Sequence, residues 1–352
     1  MSKTVTTSSP ISIEEIVNDV RARGDAAVAE WSRRLDATTS DVPERAVAYG
    51  DIPTAAVMAA AASVRTWHAA QRPSDLLLEV SPGVTLERRW VPLRSVGVYV
   101  PKGLVSSLIM GCVPAQVAGV ERIVVCTPPS GAAAVAAAAA LLGIDEVWAI
   151  GGAQAIAAMA YGTASIAPVD KIVGPGGGAV NTAKLLVSRD VAIDLPAGPS
   201  EIVVVADEGF DEATIQQELA AQMEHGPDSR AHVVRVGDDL EGALAEVERY
   251  AAEHVALLGP RAESLAGRIR NAGAVFVGPY SPVPAGDYAT GANHVLPTGG
   301  WSKSTGGLGL EAYMKTVTVQ RLTKEGLERL APTIEALAEL EGMPLHRATA
   351  RR

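Results

Sequence analysis

Aromatic residues make up only 4% of the 352-residue chain, and just two are phenylalanine, Phe210 and Phe276. A core must therefore be built mainly from Ala, Val, Leu and Ile, and a hydrophobic content of 48% is ample for one. Cysteine is scarcer still. Cys112 and Cys126 are the only two; they make no disulfide framework, fit a reducing compartment and read as free core residues. Positive charge is short as well: 30 Lys and Arg against 40 Asp and Glu leave a net charge of -10. No basic run occurs before Arg347, Arg351 and Arg352, which argues against nucleic acid as the partner. Long apolar runs are missing. The stretch from Ala132 to Leu142 is too short and too rich in alanine to span a bilayer. The opening MSKTVTTSSP has no apolar segment of the secretory kind. The expectation is a cytoplasmic protein that binds neither membrane nor nucleic acid.

What is present is a repeated rhythm. The length suggests two domains or one large α/β unit. Residues 11–35 and 53–71 read as amphipathic helices, the first opened by Ser12 and Glu15 in capping-box spacing. Residues 78–95 read as a hairpin. From Ser95 onward, VGVYV, RIVVCT, EVWAI and KIV are strand-like, with helical stretches at about 106–118, 131–142, 153–161 and 179–188. A second run follows: EIVVVA, a helix at about 211–225, HVVRV, a helix over 239–253, VALL, a helix over 260–270 and AVFV. A helix over 324–340 and a short tail, EGMPLHRATARR, complete the chain. The fold class is α/β, with two open parallel sheets in series and helical N-terminal and C-terminal extensions. The expected division is 1–95 for helices and a hairpin packing on the second sheet domain, 96–200 and 201–310 for the sheet domains, and 311–352 for a helical tail. Ligands in such folds sit at the carboxyl ends of the strands.

The chain is organised around PAGPSEIVVVADEGFDEATIQQELAAQMEHGPDS, residues 196–229, a turn, a strand, a helix and a Gly-Pro stop. On the helix, Ile215 and Leu219 define an apolar stripe whose next place is Gln222. His225 is its neighbour three residues on. Such a pair is either a half-site for a metal or a buried polar pair tied to the backbone. Glu253 and His254 close the helix that starts at Asp239. They could serve proton transfer, or His254 could simply answer the helix dipole. Asp287, Asn293 and His294 lie in a long Gly- and Pro-rich loop, a kind of loop that is often functional. Gly174 to Ala179 fits G-x-G-x-x-A between strand and helix. That pattern suits either a phosphate or a tight turn, and Asp194 stands about 20 residues on, where a dinucleotide fingerprint wants an acid.

Several stretches together carry a resemblance. SVGVYVPKG, GGAQAIAAMAYGT, VDKIVGPGG, DLPAGPSEIVVVADEG, QMEHGPDS, AGDYATGANHVLPT and EGMPLH occur in the order found in histidinol dehydrogenases. The similarity spans most of the chain. It implies two Rossmann-like domains, a homodimer, and a zinc-dependent oxidation of the small molecule L-histidinol to L-histidine in two NAD-linked steps. It implies Gln222, His225, Asp287 and His346 as zinc ligands, with His346 donated by the other subunit. It implies Glu253 and His254 as the catalytic proton-transfer pair, and Ser200, Tyr288 and Glu341 as further substrate contacts beside the ligands. Tyr99 and Gln154 fall on NAD contacts. Gly177 stands where the family usually carries Asn against the dinucleotide, and Lys102 replaces the first glycine of the usual PGG. The segment between His225 and Glu253 is short for the family by roughly one βα unit. These departures leave two other readings open. One is the same chemistry on another small amino alcohol or polyol. The other is a zinc-binding homologue that has lost NAD.

Overall fold

The computed structural model describes residues 11–195 and 198–350. The first ten residues, Pro196 and Ala197 of the turn before the second βα run, and Arg351 and Arg352 lie outside that description.

The N-terminal helical stretch is two helices, α1 (Ile13–Arg23) and α2 (Asp25–Leu35), rather than one. Gly24 takes φ of 56° between them, a left-handed value that breaks the helical path and that glycine tolerates. Ser12 makes no side-chain cap bond, so the capping-box spacing is not used. Helix α3 (Thr54–Ala70) follows, then the hairpin strands β1 (Leu76–Ser81) and β2 (Val84–Pro92).

The first βα run is β3 (Ser95–Tyr99), α4 (Val105–Ala118), β4 (Arg122–Thr127), α5 (Ala132–Leu141), β5 (Glu146–Ala149), α6 (Gly152–Tyr161), β6 (Lys171–Val173), α7 (Gly178–Val187) and β7 (Ala192–Ile193). Its strands pair in parallel in the order β5-β4-β3-β6-β7. The order reverses between β3 and β6, which is the switch point where open sheets of this kind bind ligands. The second run is β8 (Glu201–Asp207), α8 (Glu212–Met223), β9 (Arg230–Val236), α9 (Leu240–Tyr250), β10 (His254–Leu258), α10 (Pro260–Glu263) and β11 (Ala274–Val277). It forms a second parallel sheet, β11-β10-β8-β9. The short α11 (Val283–Tyr288), β12 (Met314–Leu322), α12 (Lys324–Leu340) and α13 (Pro344–Thr349) complete the fold. Among the described residues, no helix is long and apolar enough to cross a membrane.

Four elements depart from the sequence expectation. Helix α9 stops at Tyr250 because Ala251 turns left-handed, with φ of 50°. Glu253 and His254 therefore lie at the mouth of β10, not at a helix end, and the dipole explanation for His254 falls away. Helix α10 has four residues, and the chain after it is held by three-residue turns such as Leu265 N–H to Ala262 O, 3.0 Å. Asp287 sits on α11 rather than in a loop. The strand β12 was not legible, because most of its residues are exposed on either face.

By its internal contacts the chain divides into two units. One comprises the chain up to Gln71 together with Leu93–Tyr313 and contains both parallel sheets. In it, α1 and α2 pack on α6 and α7 beside the first sheet, not on the second sheet as expected. The cause is local: six of the ten residues of α6, GAQAIAAMAY, are Gly or Ala, so Ile16, Val20 and Val28 pack into one core with it. The other unit comprises Arg72–Pro92 and the chain from Met314 on. There β12 pairs antiparallel with the whole of β2, from Met314 opposite Pro92 to Leu322 opposite Val84. The hairpin thus belongs with the C-terminal segment and not with the N-terminal helices.

Candidate active site

The expected site residues of the second sheet gather at its amino edge, the opposite edge from the one the fold class predicts. Ser200 immediately precedes β8, and Glu253 immediately precedes β10. Helix α8 runs back across the sheet, so Gln222 in its last turn comes to the edge where β9 begins. Gln222 is 2% exposed, which confirms that it holds an apolar stripe position.

Four polar contacts define the arrangement. The Ser200 hydroxyl donates to Glu253 Oε2. The Glu201 backbone N–H donates to the same oxygen at 3.0 Å. His254 Nδ1 lies 3.3 Å from Gln222 Oε1. An amide oxygen only accepts, so Nδ1 carries the proton and Nε2 keeps its lone pair. His225, just past α8, places Nδ1 3.2 Å from the Gln222 carbonyl oxygen. The ring of Phe276 stands edge-on to His254, with centroids 5.8 Å apart. A cavity of about 370 Å³ is lined by His254, Phe276, Asp287, Asn293 and His294.

Burial sets the charge states. It pushes the Glu253 carboxyl up to about 8, against the hydrogen bonds from Ser200 and Glu201 that favour the anion. It pushes His254 down to about 3, helped by His225 and His294, so this imidazole is neutral. The 3.9 Å approach of His254 to Glu253 is therefore not an ion pair. Burial also raises Asp287 to about 6, with His225 pulling the other way.

One contributor here was not singled out from sequence. Ser107, 1% exposed on α4, places its hydroxyl 3.3 Å from His294 Nε2. His294 Nδ1 lies 3.1 Å from the Asp287 carbonyl oxygen. A serine from the first sheet's helix is thus linked to the residue after α11 that borders Asp287. The available signal was a buried serine inside the apolar run LVSSLIMGCV.

The first sheet presents its candidates at the carboxyl edge. Tyr99 ends β3, is 3% exposed and accepts the Gly152 N–H at 3.1 Å. Gln154 is fully buried; Nε2 donates to Asp36 at 2.9 Å, and Oε1 is buried without a partner. It is packed into the wall of the sheet rather than presented at a surface. Asp36 also accepts the Gly151 N–H at 3.2 Å and was not singled out from sequence. Gly177 is the N-cap of α7, and a Cβ there would meet nothing within 4 Å. Open glycines at the start of a ten-residue helix suit the approach of a phosphate. Lys102, in the family's glycine position, takes φ of 44°. Asp194, considered for the fingerprint acid, has a fully buried side chain paired with Lys184 and cannot meet a ribose.

Tyr288 ends α11 and is 61% exposed. Glu341 and His346 belong to the second unit, where both are exposed and His346 lies on α13. Among the described residues, no three His, Cys, Asp or Glu side chains converge as a metal site. The expected set takes only His225 and Asp287 of those types from the first unit, so the donor chemistry decides the fit. Gln222 Nε2 and His254 Nε2 are both buried with no hydrogen-bond partner. Orphaned polar atoms are rare in folded interiors, and two on a pair of residues in mutual contact fit a site that takes a polar ligand. The Gln222 oxygen has a second lone pair beside the one facing His254. With the Asp287 carboxyl and the His225 imidazole it makes an N/O donor set that suits a divalent metal.

Comparison with known proteins places these features. The family model for histidinol dehydrogenase matches residues 2–240 and 232–352. The two matches meet inside the segment between His225 and Glu253. A histidinol dehydrogenase of Haloarcula marismortui is 40% identical, over 97% of this chain and 92% of the relative. One of Vibrio vulnificus is 38% identical, over 95% and 89%. That alignment runs to 385 positions, more than this chain possesses, so gaps open on this side. The crystal structure of histidinol dehydrogenase from Elizabethkingia anophelis superposes with a TM-score of 0.88 at 30% identity, covering 97% of this chain and 93% of that one.

Proposed function

This chain belongs to the histidinol dehydrogenase family, and we propose that it oxidises L-histidinol through histidinal to L-histidine in the cytoplasm, in two NAD-linked steps at a zinc site. One observation carries the reading. A neutral imidazole oriented by an amide (His254 on Gln222) stands beside a buried carboxyl held by Ser200, at one edge of the second sheet.

In this scheme Gln222, His225 and Asp287 hold the metal, joined by the partner subunit's His346. When bound, zinc supplies Lewis-acid polarisation and NAD accepts a hydride in each oxidation. The chain supplies the proton chemistry. His254 takes the alcohol proton at Nε2, while the Gln222 oxygen holds Nδ1–H and stabilises the imidazolium that forms. Glu253, whose proton affinity burial raises, takes a proton in its ionised form from the water that adds to the aldehyde. The Ser200 hydroxyl and the Glu201 N–H keep its Oε2 in place. Tyr288 and Glu341 contact the substrate. Residues 96–200, with the loop through Gly177 and the buried Tyr99 and Gln154 as the wall behind it, form the dinucleotide half, and residues 201–310 form the metal and substrate half.

A homodimer is supported by the second unit's surface. Leu77 is 69% exposed, Leu340 82% and Leu345 79%, apolar side chains that a partner subunit would cover. The short segment between His225 and Glu253 favours one rival, another small amino alcohol as substrate. Product analysis decides between them. Incubation with NAD and a panel of amino alcohols should yield an amino acid from histidinol far faster than from any other. A faster reaction with a different alcohol would replace the substrate.

A further inference from the structure

Lys184 and Asp194 form an ion pair of 2.5 Å, with side chains 2% and 0% exposed. Neither lies in the pocket of His254. Both also hold Gly174: Lys184 Nζ donates to its carbonyl oxygen at 2.9 Å, and Asp194 Oδ2 accepts its N–H at 2.8 Å. Gly174 has φ of 112°, and a Cβ there would overlap the Tyr99 carbonyl oxygen. It is thus pressed against the end of β3, at the reversal of strand order, and begins the loop that leads through Gly177 into α7.

A buried ion pair is weak evidence for stability, since apolar residues of the same volume often serve packing as well. This pair has a geometric consequence instead. It fixes both backbone polar groups of the residue that opens the loop to Gly176 and Gly177.

We propose that Lys184 and Asp194 are a positioning pair for dinucleotide binding. They clamp Gly174 so that the loop between β6 and α7 is already shaped for the cofactor's phosphates. The proposal rests on reading that loop as the NAD site. A loop ordered before binding loses less freedom on binding, so breaking the clamp weakens the cofactor and leaves the substrate pocket alone.

The test measures NAD and histidinol dissociation constants by calorimetry on the zinc-loaded protein. Lys184→Met/Asp194→Asn removes both charges together, so no lone charge is left buried. Lys184→Gln/Asp194→Asn is the gentler variant: it also leaves no lone charge buried, and it keeps a donor near Gly174. Loss of the charge-assisted hydrogen bond should weaken NAD about tenfold in Lys184→Met/Asp194→Asn and about threefold in Lys184→Gln/Asp194→Asn. Histidinol affinity and zinc content should stay at the wild-type value, and saturating NAD should restore kcat. Wild-type NAD affinity in a folded variant, or an equal fall for histidinol, overturns the pair's role. If Lys184→Met/Asp194→Asn does not fold, Lys184→Gln/Asp194→Asn decides by the same two readings. A wild-type protein that binds no NAD overturns the dinucleotide reading itself, and the pair's role with it, before any variant is made.

Discussion

His254 Nδ1 faces Gln222 Oε1 at 3.3 Å, although the residues lie 32 positions apart, one opening a strand and the other closing a helix. The contact fixes the tautomer of the imidazole and leaves Nε2 as a buried, unpartnered base. It also ties the proposed base to a proposed metal ligand, so the two functions should fail together.

Gln222→Ala should therefore lower zinc affinity about 10- to 100-fold, as loss of a ligand or its support does, and lower kcat with it. Stability should fall by about 1 to 3 kcal/mol, because His254 Nδ1–H is left buried without its acceptor. Competition against a chromophoric chelator measures the affinity. Zinc binding at the wild-type level would remove Gln222 from the ligand set.

Glu253→Gln keeps the shape of the side chain and its contact with Ser200 but cannot accept a proton from water. Oxidation of supplied histidinal should fall by about 100-fold or more, the usual contribution of a general base, while the alcohol step falls less. Rapid mixing of the variant with histidinol should show a burst of one NADH. Equal losses in both steps would give Glu253 a different role.

Some of this site was legible in the chain and some was not. Gln222 stood out because it interrupts an apolar stripe, and its burial follows from that stripe. The second-sheet site could not be placed at the amino edge, because that depends on where α8 ends in space and on the early stop of α9 at Ala251. A left-handed alanine has no sequence signal. Ser107 and Asp36 were missed for another reason: each acts through a contact with a residue far along the chain, His294 and Gln154. The strand β12 was missed because its pairing with β2 spans more than two hundred positions, and little of it is buried to impose a pattern.

Gly177→Asn tests the dinucleotide half. The N-cap position has room for a side chain and an ordinary φ of -66°. Asparagine caps helices well, so stability should hold or rise by a few tenths of a kcal/mol, about what the cap preference gives. The apparent KM for NAD should fall. An unchanged or higher KM would show that Gly177 does not limit cofactor binding.

Mixing two inactive variants tests whether His346 serves the partner's site. Gln222→Ala and His346→Ala homodimers, allowed to exchange subunits, should recover about a quarter of wild-type activity. Half the dimers are then mixed, and each carries one complete site, as two-fold symmetry requires. No recovery after proven exchange would place His346 in its own subunit's site or in none.

The most direct measurement is NADH formed per histidinol consumed, by zinc-loaded protein, with and without a chelator. The account predicts about two NADH per histidinol, one for each oxidation, and loss of turnover when the metal is removed. One NADH per histidinol with free aldehyde released, or full turnover in the presence of chelator, would contradict it.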